Sequence, residues 1–265
     1  METIRVAADA RGVATLTLAR AEKHNALSAA MMDEIAVAAA VLAADPAVRV
    51  VVLAAEGPTF CAGGDLGWMR AQFDADAAGR AAEARRLAHM LRDLNTLPKP
   101  LIGRVHGNAF GGGVGMMAVC DVAIAAETAR FGLTETRLGL IPATIGPYVL
   151  ARMGEAMARR VFMSARLFDA AEAVTLGLAA RAVPAEGLDA AVEAEVAPYL
   201  ACAPGAVAAA KALTRRFGPP IGAAEIDASI AALAERWAGD EASEGVGAGF
   251  ARRKPRWRAV GQPAS

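Results

Sequence analysis

The run Val48 to Ala54 is apolar apart from Arg49 and dense in valine, with no alternation of polar and apolar positions. A strand of this kind is at home only where both faces are covered, as in a parallel sheet under helices. Two further runs have the same character: Leu101 to Val105, introduced by Pro98-Lys99-Pro100, and Val122 to Ala126, which follows Asp121. Val13 to Leu18, rich in β-branched and small residues, reads as a fourth strand. Helical patterns lie between these runs. Ser28 is placed to cap a helix with Met31, Ile35 and Leu42 on one face, ended by Asp45-Pro46. Leu66 to Thr96 reads as one or two helices, with Leu87, Met90, Leu91 and Leu94 at helical spacing. This alternation is the signature of an α/β fold.

The pattern changes toward the C-terminus. Asp169-Ala170-Ala171-Glu172 has the form of a capping box, and Gly177 is placed to close the short helix it opens. From Glu186 onward the periodicity is helical only, over Leu188 to Leu200, Ala206 to Phe217 and Ile221 to Trp237, divided by Pro204 and Pro219-Pro220. A further short helical pattern spans Gly245 to Arg258. The expected organisation is an α/β body over residues 1–190 and an all-helical C-terminal region over 191–265.

Composition narrows the function. The chain of 265 residues is 55% hydrophobic, which excludes wholesale disorder. Its 28 basic residues are balanced by 28 acidic ones, so it lacks the broad basic face by which nucleic acid is held. No apolar stretch reaches the ~18 residues of a membrane span, and Met1 to Arg11 has no signal-like core. Cys61, Cys120 and Cys202 are few, odd in number and outside metal-ligand spacing. These features lead to the expectation of a cytoplasmic protein with free thiols, no metal site, and neither a membrane nor a nucleic-acid partner.

Two glycine loops beside strands are candidates for chemistry. In Phe60-Cys61-Ala62-Gly63-Gly64-Asp65-Leu66, small residues admit a ligand to the backbone, and Asp65 can cap the helix that follows. A tight strand-to-helix turn without a ligand is the competing reading. The second loop is Gly107-Asn108-Ala109-Phe110-Gly111-Gly112-Gly113-Val114-Gly115. A glycine triplet is poor in a helix interior, at about 1 kcal/mol per residue relative to alanine. It belongs at a helix start, where unpaired amides and the helix dipole suit an oxygen acquiring negative charge. Close helix packing is its competing reading. Neither the spacing nor the following residues fit a dinucleotide site. The third feature is the carboxylate of Glu135 within Phe131-Gly132-Leu133-Thr134-Glu135-Thr136-Arg137-Leu138-Gly139-Leu140-Ile141-Pro142. Buried, it would be a usable acid or base near neutrality; at the surface, it would pair with Arg137.

Taken in order, Ala-Gly-Gly-Asp, His-Gly-x-x-x-Gly-Gly-Gly and Phe-Gly-x-x-Glu-x-x-x-Gly-x-x-Pro resemble the enoyl-CoA hydratase/isomerase (crotonase) superfamily. The likeness runs from Glu22-Lys23-His24-Asn25-Ala26-Leu27 to the tail Gly249-Phe250-Ala251-Arg252-Arg253-Lys254-Pro255. It implies a spiral of ββα units with a C-terminal helical trimerisation region, giving homotrimers or homohexamers. It also implies an acyl-CoA thioester as substrate, with coenzyme A part of that substrate and no separate cofactor. By resemblance, the amides of Ala62 and Gly112 form the oxyanion hole and Glu135 is the catalytic carboxylate. Lys23, His24, Ala26, Ala62, Gly63, Gly64, Asp65 and Leu66 contact coenzyme A, while Phe250 and Lys254 approach its adenine and phosphates, often across a subunit boundary. Arg252, Arg253, Arg256 and Arg258 add positive charge to that tail.

Hydratases of this family commonly carry two glutamates. At the position of the first, this chain has Gly115. The resemblance is greatest to bacterial hydratases of branched, γ-carboxylated enoyl-CoAs such as the methylglutaconyl- and carboxygeranoyl-CoA types, acting in fatty-acid, leucine or isoprenoid degradation. A carboxylate of the substrate could then fill the space left at Gly115. The alternatives are a Δ3,Δ2-enoyl-CoA isomerase using Glu135 alone and a non-catalytic acyl-CoA binder. His106 is expected in a structural hydrogen bond, His24 and His89 at the surface, and Cys61, Met116 and Met117 as packed side chains. Tyr148 is either core or acyl-pocket wall.

Overall fold

The computed structural model describes residues 1–258. The chain opens with a hairpin of β1 (Ile4–Ala8) and β2 (Val13–Leu18), followed by α1 (Ala29–Ala44). A β-β-α progression then repeats: β3 (Val50–Ala55), β4 (Thr59–Cys61) and α2 (Leu66–Asp74) with α3 (Ala77–Thr96); then β5 (Leu101–Val105), β6 (Asn108–Phe110) and α4 (Gly112–Ala118). β7 (Val122–Ala126) and β8 (Arg130–Gly132) lead into a 3-10 turn, Glu135–Leu138.

The two strands of each pair part company. β1, β2, β3, β5 and β7 line up in a six-stranded sheet, whereas β4, β6 and β8 build a four-stranded one. Each sheet gains its last strand after α5 (Gly146–Met153) and α6 (Glu155–Phe162). β9 (Leu167–Asp169) pairs with β8, and β10 (Arg181–Val183), beyond α7 (Ala170–Thr175), pairs with β7. The central pairings β2–β3, β3–β5 and β5–β7 are parallel, with Val51 opposite Leu101 and Ile102 opposite Val122.

All six residues of β3 are buried, and the reason is visible in its two faces. Val51, Leu53 and Ala55 pack into the main core with Met31, Met32, Ile35 and Leu42 of α1. Val50 and Val52 pack on the other side against Leu188, Val192 and Val196 of α8 (Leu188–Leu200). The expected elements otherwise form with small shifts: Ser28 Oγ accepts from the Met31 amide, Asp169 caps α7, and the span before β5 divides into α2 and α3. β1 was not apparent in the sequence because only Ile4 of its five residues is buried. β4, β6 and β8 have three residues each, too few to establish a period.

The C-terminal helices are α8, α9 (Pro204–Phe217), α10 (Ala223–Trp237) and α11 (Asp240–Phe250). Pro204 is the first residue of α9 rather than a divider outside it, a place where its missing N–H costs nothing. α10 packs on α3 through Ile226, Ile230, Leu233 and Trp237 against Ala84 and Ala88. α9 buries no residue of its own, yet Lys211 anchors it: Nζ donates to Asp121 Oδ2 at 2.7 Å and to the Lys99 carbonyl at 3.0 Å. Asp121 Oδ2 in turn accepts from the Leu101 amide at 2.7 Å, joining the starts of β5 and β7 to the helix. Lys211→Ala is therefore expected to lower stability by on the order of 2 kcal/mol, read as a shift in the denaturant midpoint, by leaving Asp121 without its cation.

Candidate active site

Both glycine loops and the Glu135 turn converge on one cavity. β4 delivers Ala62-Gly63-Gly64, and Asp65 caps α2 by accepting from the amides of Gly67 (2.8 Å) and Trp68 (3.1 Å). Arg20 Nη2 reaches Asp65 Oδ2 at 3.1 Å. Burial alone would raise the Asp65 pKa, but the Trp68 amide and Arg20 outweigh it and hold the carboxyl below its usual range. Asp65 is thus committed to the architecture of the loop. β6 delivers the glycine triplet, and Gly111, at φ 49°, turns the chain into α4. The close approach explains the glycines: a Cβ on Gly63 would stand 3.0 Å from the Phe110 carbonyl oxygen, and one on Gly113 2.5 Å from that of Cys61.

The amides in this cleft differ from the expected pair. The Ala62 amide donates to the His24 carbonyl at 3.0 Å, so it is already taken and cannot also serve an oxyanion. Gly64 is better placed. It is bridged in parallel fashion to Leu27, with Leu27 N donating to Gly63 O at 2.7 Å and Asp65 N to Leu27 O at 3.0 Å. That pattern turns the intervening Gly64 amide away from Leu27, and it has no acceptor among the described residues. Gly112, first residue of α4, keeps the unpaired amide of a helix start. Gly64 and Gly112 therefore replace Ala62 and Gly112 as the candidate donor pair. The signal lies in the contact with Leu27, far away in sequence, and no local pattern separates residue 62 from residue 64.

Glu135 sits at the other side. Residual exposure is confined to the rest of the residue, since its carboxylate oxygen Oε2 is shut off from solvent and has no hydrogen-bond partner. Oε1 lies against Gly111, where a Cβ would stand 2.9 Å from it. Burial pushes the carboxyl pKa up to about 7, against the weaker downward pull of its own backbone amide. Arg137 is exposed, and no ion pair between it and Glu135 forms.

The cavity is walled by Leu27, Met32, Trp68, Met69, Leu87, Leu140, Ile141, Pro142, Ala143, Ile145, Leu233 and Trp237, with Glu135 its one titratable lining residue among the described ones. Trp68 is held in the wall by its indole, which donates to Glu83 Oε2 at 2.7 Å; Glu83 pairs with Arg86, and Arg86 with Asp33 of α1. The space expected at Gly115 does not exist. A Cβ there would meet Ile145 Cγ2 at 2.5 Å and Leu91 Cδ1 at 3.5 Å, so the two side chains close the position against a substrate carboxylate.

A second, open pocket is lined by Arg20, Glu22, Lys23, His24, Ala26, Ala62, Gly64, Asp65, Leu66 and Gly67. Of the residues expected to contact coenzyme A, it gathers Lys23, His24, Ala26, Ala62, Gly64, Asp65 and Leu66, with Gly63 in the same loop behind them. Gly64 borders both spaces, marking their junction. Phe250 and Lys254 reach neither from their own chain. The Phe250 ring lies 4.7 Å under the Arg70 guanidinium, Lys254 is exposed, and Arg253 of the same tail is paired with Glu244 at 2.7 Å.

His106, His89, Cys61 and the core candidates line neither pocket. His106 Nε2 is 2.7 Å from the Gly57 carbonyl. His24 is exposed with Nδ1 2.9 Å from Thr59 Oγ1, and His89 is half-buried on α3. Burial pushes the Cys61 thiol up to about 12 and leaves it inert. Met116, Met117 and Tyr148 are core, the tyrosine hydroxyl donating to the Ala88 carbonyl at 3.0 Å.

The sequence model of the enoyl-CoA hydratase/isomerase family matches residues 8–260. The chain belongs to this family. The crystal structure of an enoyl-CoA hydratase from Mycobacterium avium is 32% identical and superposes with a TM-score of 0.84 over 97% of this chain and all (100%) of that one. An enoyl-CoA hydratase structure from Mycobacterium smegmatis is 35% identical with a TM-score of 0.79, over 98% and 100% of the two chains. Among curated relatives, the mitochondrial methylglutaconyl-CoA hydratase of Mus musculus is 35% identical over 170 residues, 63% of this chain and 53% of that protein. The fold is accordingly the crotonase fold, and the family member described here is an enzyme of hydratase type.

The raised Glu135 pKa carries a cost in stability with a definite sign. Below the ordinary value of 4.5 the carboxyl is protonated both folded and unfolded; between 4.5 and about 7 only the unfolded chain releases its proton, which disfavours folding. Above that window the loss is about 3 kcal/mol. Glu135→Gln is expected to be more stable than the wild type at pH 8 and nearly equal to it at pH 4.5, as measured by denaturant midpoints. Gly115→Glu, which would place the family's first glutamate, is expected to destabilise the fold and give no gain in turnover, because Ile145 occupies the volume.

Proposed function

We propose that this enzyme is an enoyl-CoA hydratase that adds water across the α,β-double bond of an enoyl-CoA with an apolar acyl group. The observation that carries the reading is Glu135, an enclosed carboxylate with its pKa raised to about 7, lining the same otherwise apolar cavity as Gly64 and Gly112. With the nucleotide end in the pocket of Lys23 and Leu66, the thioester lies at the Gly64 junction. Its oxygen receives the two amides. Glu135 takes a proton from water as the water oxygen bonds to the β-carbon, and the π electrons move onto the thioester oxygen as an enolate. The carboxyl then returns its proton to the α-carbon and the carbonyl reforms. Coenzyme A enters as part of the substrate, and no further cofactor is needed for these steps.

The likeness to a methylglutaconyl-CoA hydratase supports a branched acyl group. A free carboxylate on that group has less support, since no cation lines the cavity among the described residues. Isomerisation of 3-enoyl-CoA is the second reading, favoured by the lone carboxylate and by the closure of position 115. A silent binder would have no use for a carboxylate whose burial opposes folding. We also infer assembly into homotrimers, supported by α9, which has no fully buried residue in the single chain and exposes Leu213 and Phe217; sedimentation is expected to give a multiple of three chains.

Assays with crotonyl-CoA, a branched 2-enoyl-CoA, methylglutaconyl-CoA and a 3-enoyl-CoA in isotopically labelled water test the reaction. Label in a 3-hydroxyacyl product is expected, fastest for the uncharged esters. Conversion of the 3-enoyl ester alone would select the isomerase, and binding without conversion the silent binder. Glu135→Gln is expected to lower kcat by about 10² to 10⁴ with acyl-CoA binding retained; full activity in that variant would remove Glu135 from the mechanism.

A further inference from the structure

The carboxylate of Glu135 is tied by no side chain among the described residues, so its place in the cavity is inherited from the backbone of its turn. That turn is not held by its own segment alone. α11 crosses it backbone to backbone, and a glycine on each side makes the approach possible. A Cβ on Gly245 of α11 would stand 2.5 Å from the Leu138 carbonyl carbon and oxygen and 2.8 Å from its Cα. Reciprocally, a Cβ on Gly139, where φ is 72°, would stand 2.3 Å from the Glu241 carbonyl. No rotamer relieves a contact between a Cβ and main-chain atoms, so either α11 or the turn must move to admit one. Around this contact Ala242 and Val246 of α11 are buried in one cluster with Leu140, packed against Leu138, and the same cluster includes the cavity-lining Leu233 and Trp237 of α10.

We propose that α11, seated on Leu138 through Gly245, is a positioning element for Glu135 that sets where the carboxylate stands relative to the Gly64 and Gly112 amides. The C-terminal helices thereby do more than cover the body: α10 supplies wall, and α11 places the proton-transfer group. Gly245 itself does not line the cavity and acts through the turn. This inference rests on the reading of Glu135 as the group that moves the proton.

Glycines on the same helix provide internal controls. At Gly247 a Cβ meets nothing within 4 Å, and at Gly249 it meets only Leu138 Cδ2 at 3.9 Å, an ordinary contact. Wild type, Gly245→Ala, Gly245→Val, Gly247→Ala and Gly249→Ala are compared for kcat, for thermal stability and for the Kd of butyryl-CoA, a saturated ester that cannot react. The Gly245 variants are expected to lose about 10- to 10²-fold in kcat, the scale of a small misplacement of a reacting group, with the butyryl-CoA Kd little changed. Gly247→Ala and Gly249→Ala are expected to keep the wild-type kcat. Should bulk at residue 245 prevent folding, Val246→Ala, which loosens the same contact without adding volume, is expected to lower kcat in the same direction. A folded Gly245→Ala or Val246→Ala with wild-type kcat would overturn the proposal, as would an equal loss in Gly247→Ala or a loss of butyryl-CoA binding as large as the loss of turnover. A wild type inactive on every enoyl-CoA would instead reject the reading of the site, and the positioning role with it.

Discussion

A carboxylate that is alone and unpartnered among the described residues, in an apolar cavity, is the constraint on which the rest of this structure depends. Burial without a partner makes Glu135 a weak acid, with a pKa near 7 rather than in the ordinary carboxylate range, and a group in that range can both take and return a proton at neutral pH. The same burial opposes folding, so the surrounding packing must hold the turn in place against its tendency to open. The walls come from the whole length of the chain: Leu27 and Met32 near the start, Trp68 and Leu87 from the two helices after β4, Ile145 beyond the turn, and Leu233 and Trp237 from α10.

Close backbone approach is how the Gly64 and Gly112 amides, the candidate donors, reach the same cavity. At Gly63 and Gly113 the two loops come so near that a side chain on either would strike the other's carbonyl or crowd it. At Gly139 and Gly245 the same device joins the carboxylate turn to the C-terminal helix. Glycine in these places trades local helix propensity and chain entropy for distance, because amides and a proton donor are of use only within hydrogen-bond reach of one substrate. Ile145 likewise closes position 115, leaving a cavity lined by one carboxylate among the described residues.

Much of this was legible in the chain itself. The non-alternating strand around Val50 and Val52 announced burial on two faces, and the structure supplies α1 on one and α8 on the other. Ser28, Asp65 and Asp169 declared three helix starts through their side-chain chemistry. The glycine triplet announced a helix start with open amides, and Glu135 a carboxylate among apolar neighbours. The short strands β4, β6 and β8 were not legible, since three residues cannot establish a period. Nor was the choice of Gly64 over Ala62, because both residues are small and lie in one loop.

By itself, the sequence determined the alternating α/β architecture, the helical C-terminus, the family and the segments from which the site is made, because periodicity, capping chemistry and glycine placement are local and survive in the linear order of residues. Only the tertiary structure decided which amide is spent on His24 and which is left for a ligand, whether Gly115 opens a space or closes one, and whether Glu135 meets solvent or apolar wall. Each of those depends on a partner distant in the chain, Leu27 for Gly64 and Ile145 for Gly115, and burial and hydrogen-bond commitment exist only once such partners are in contact.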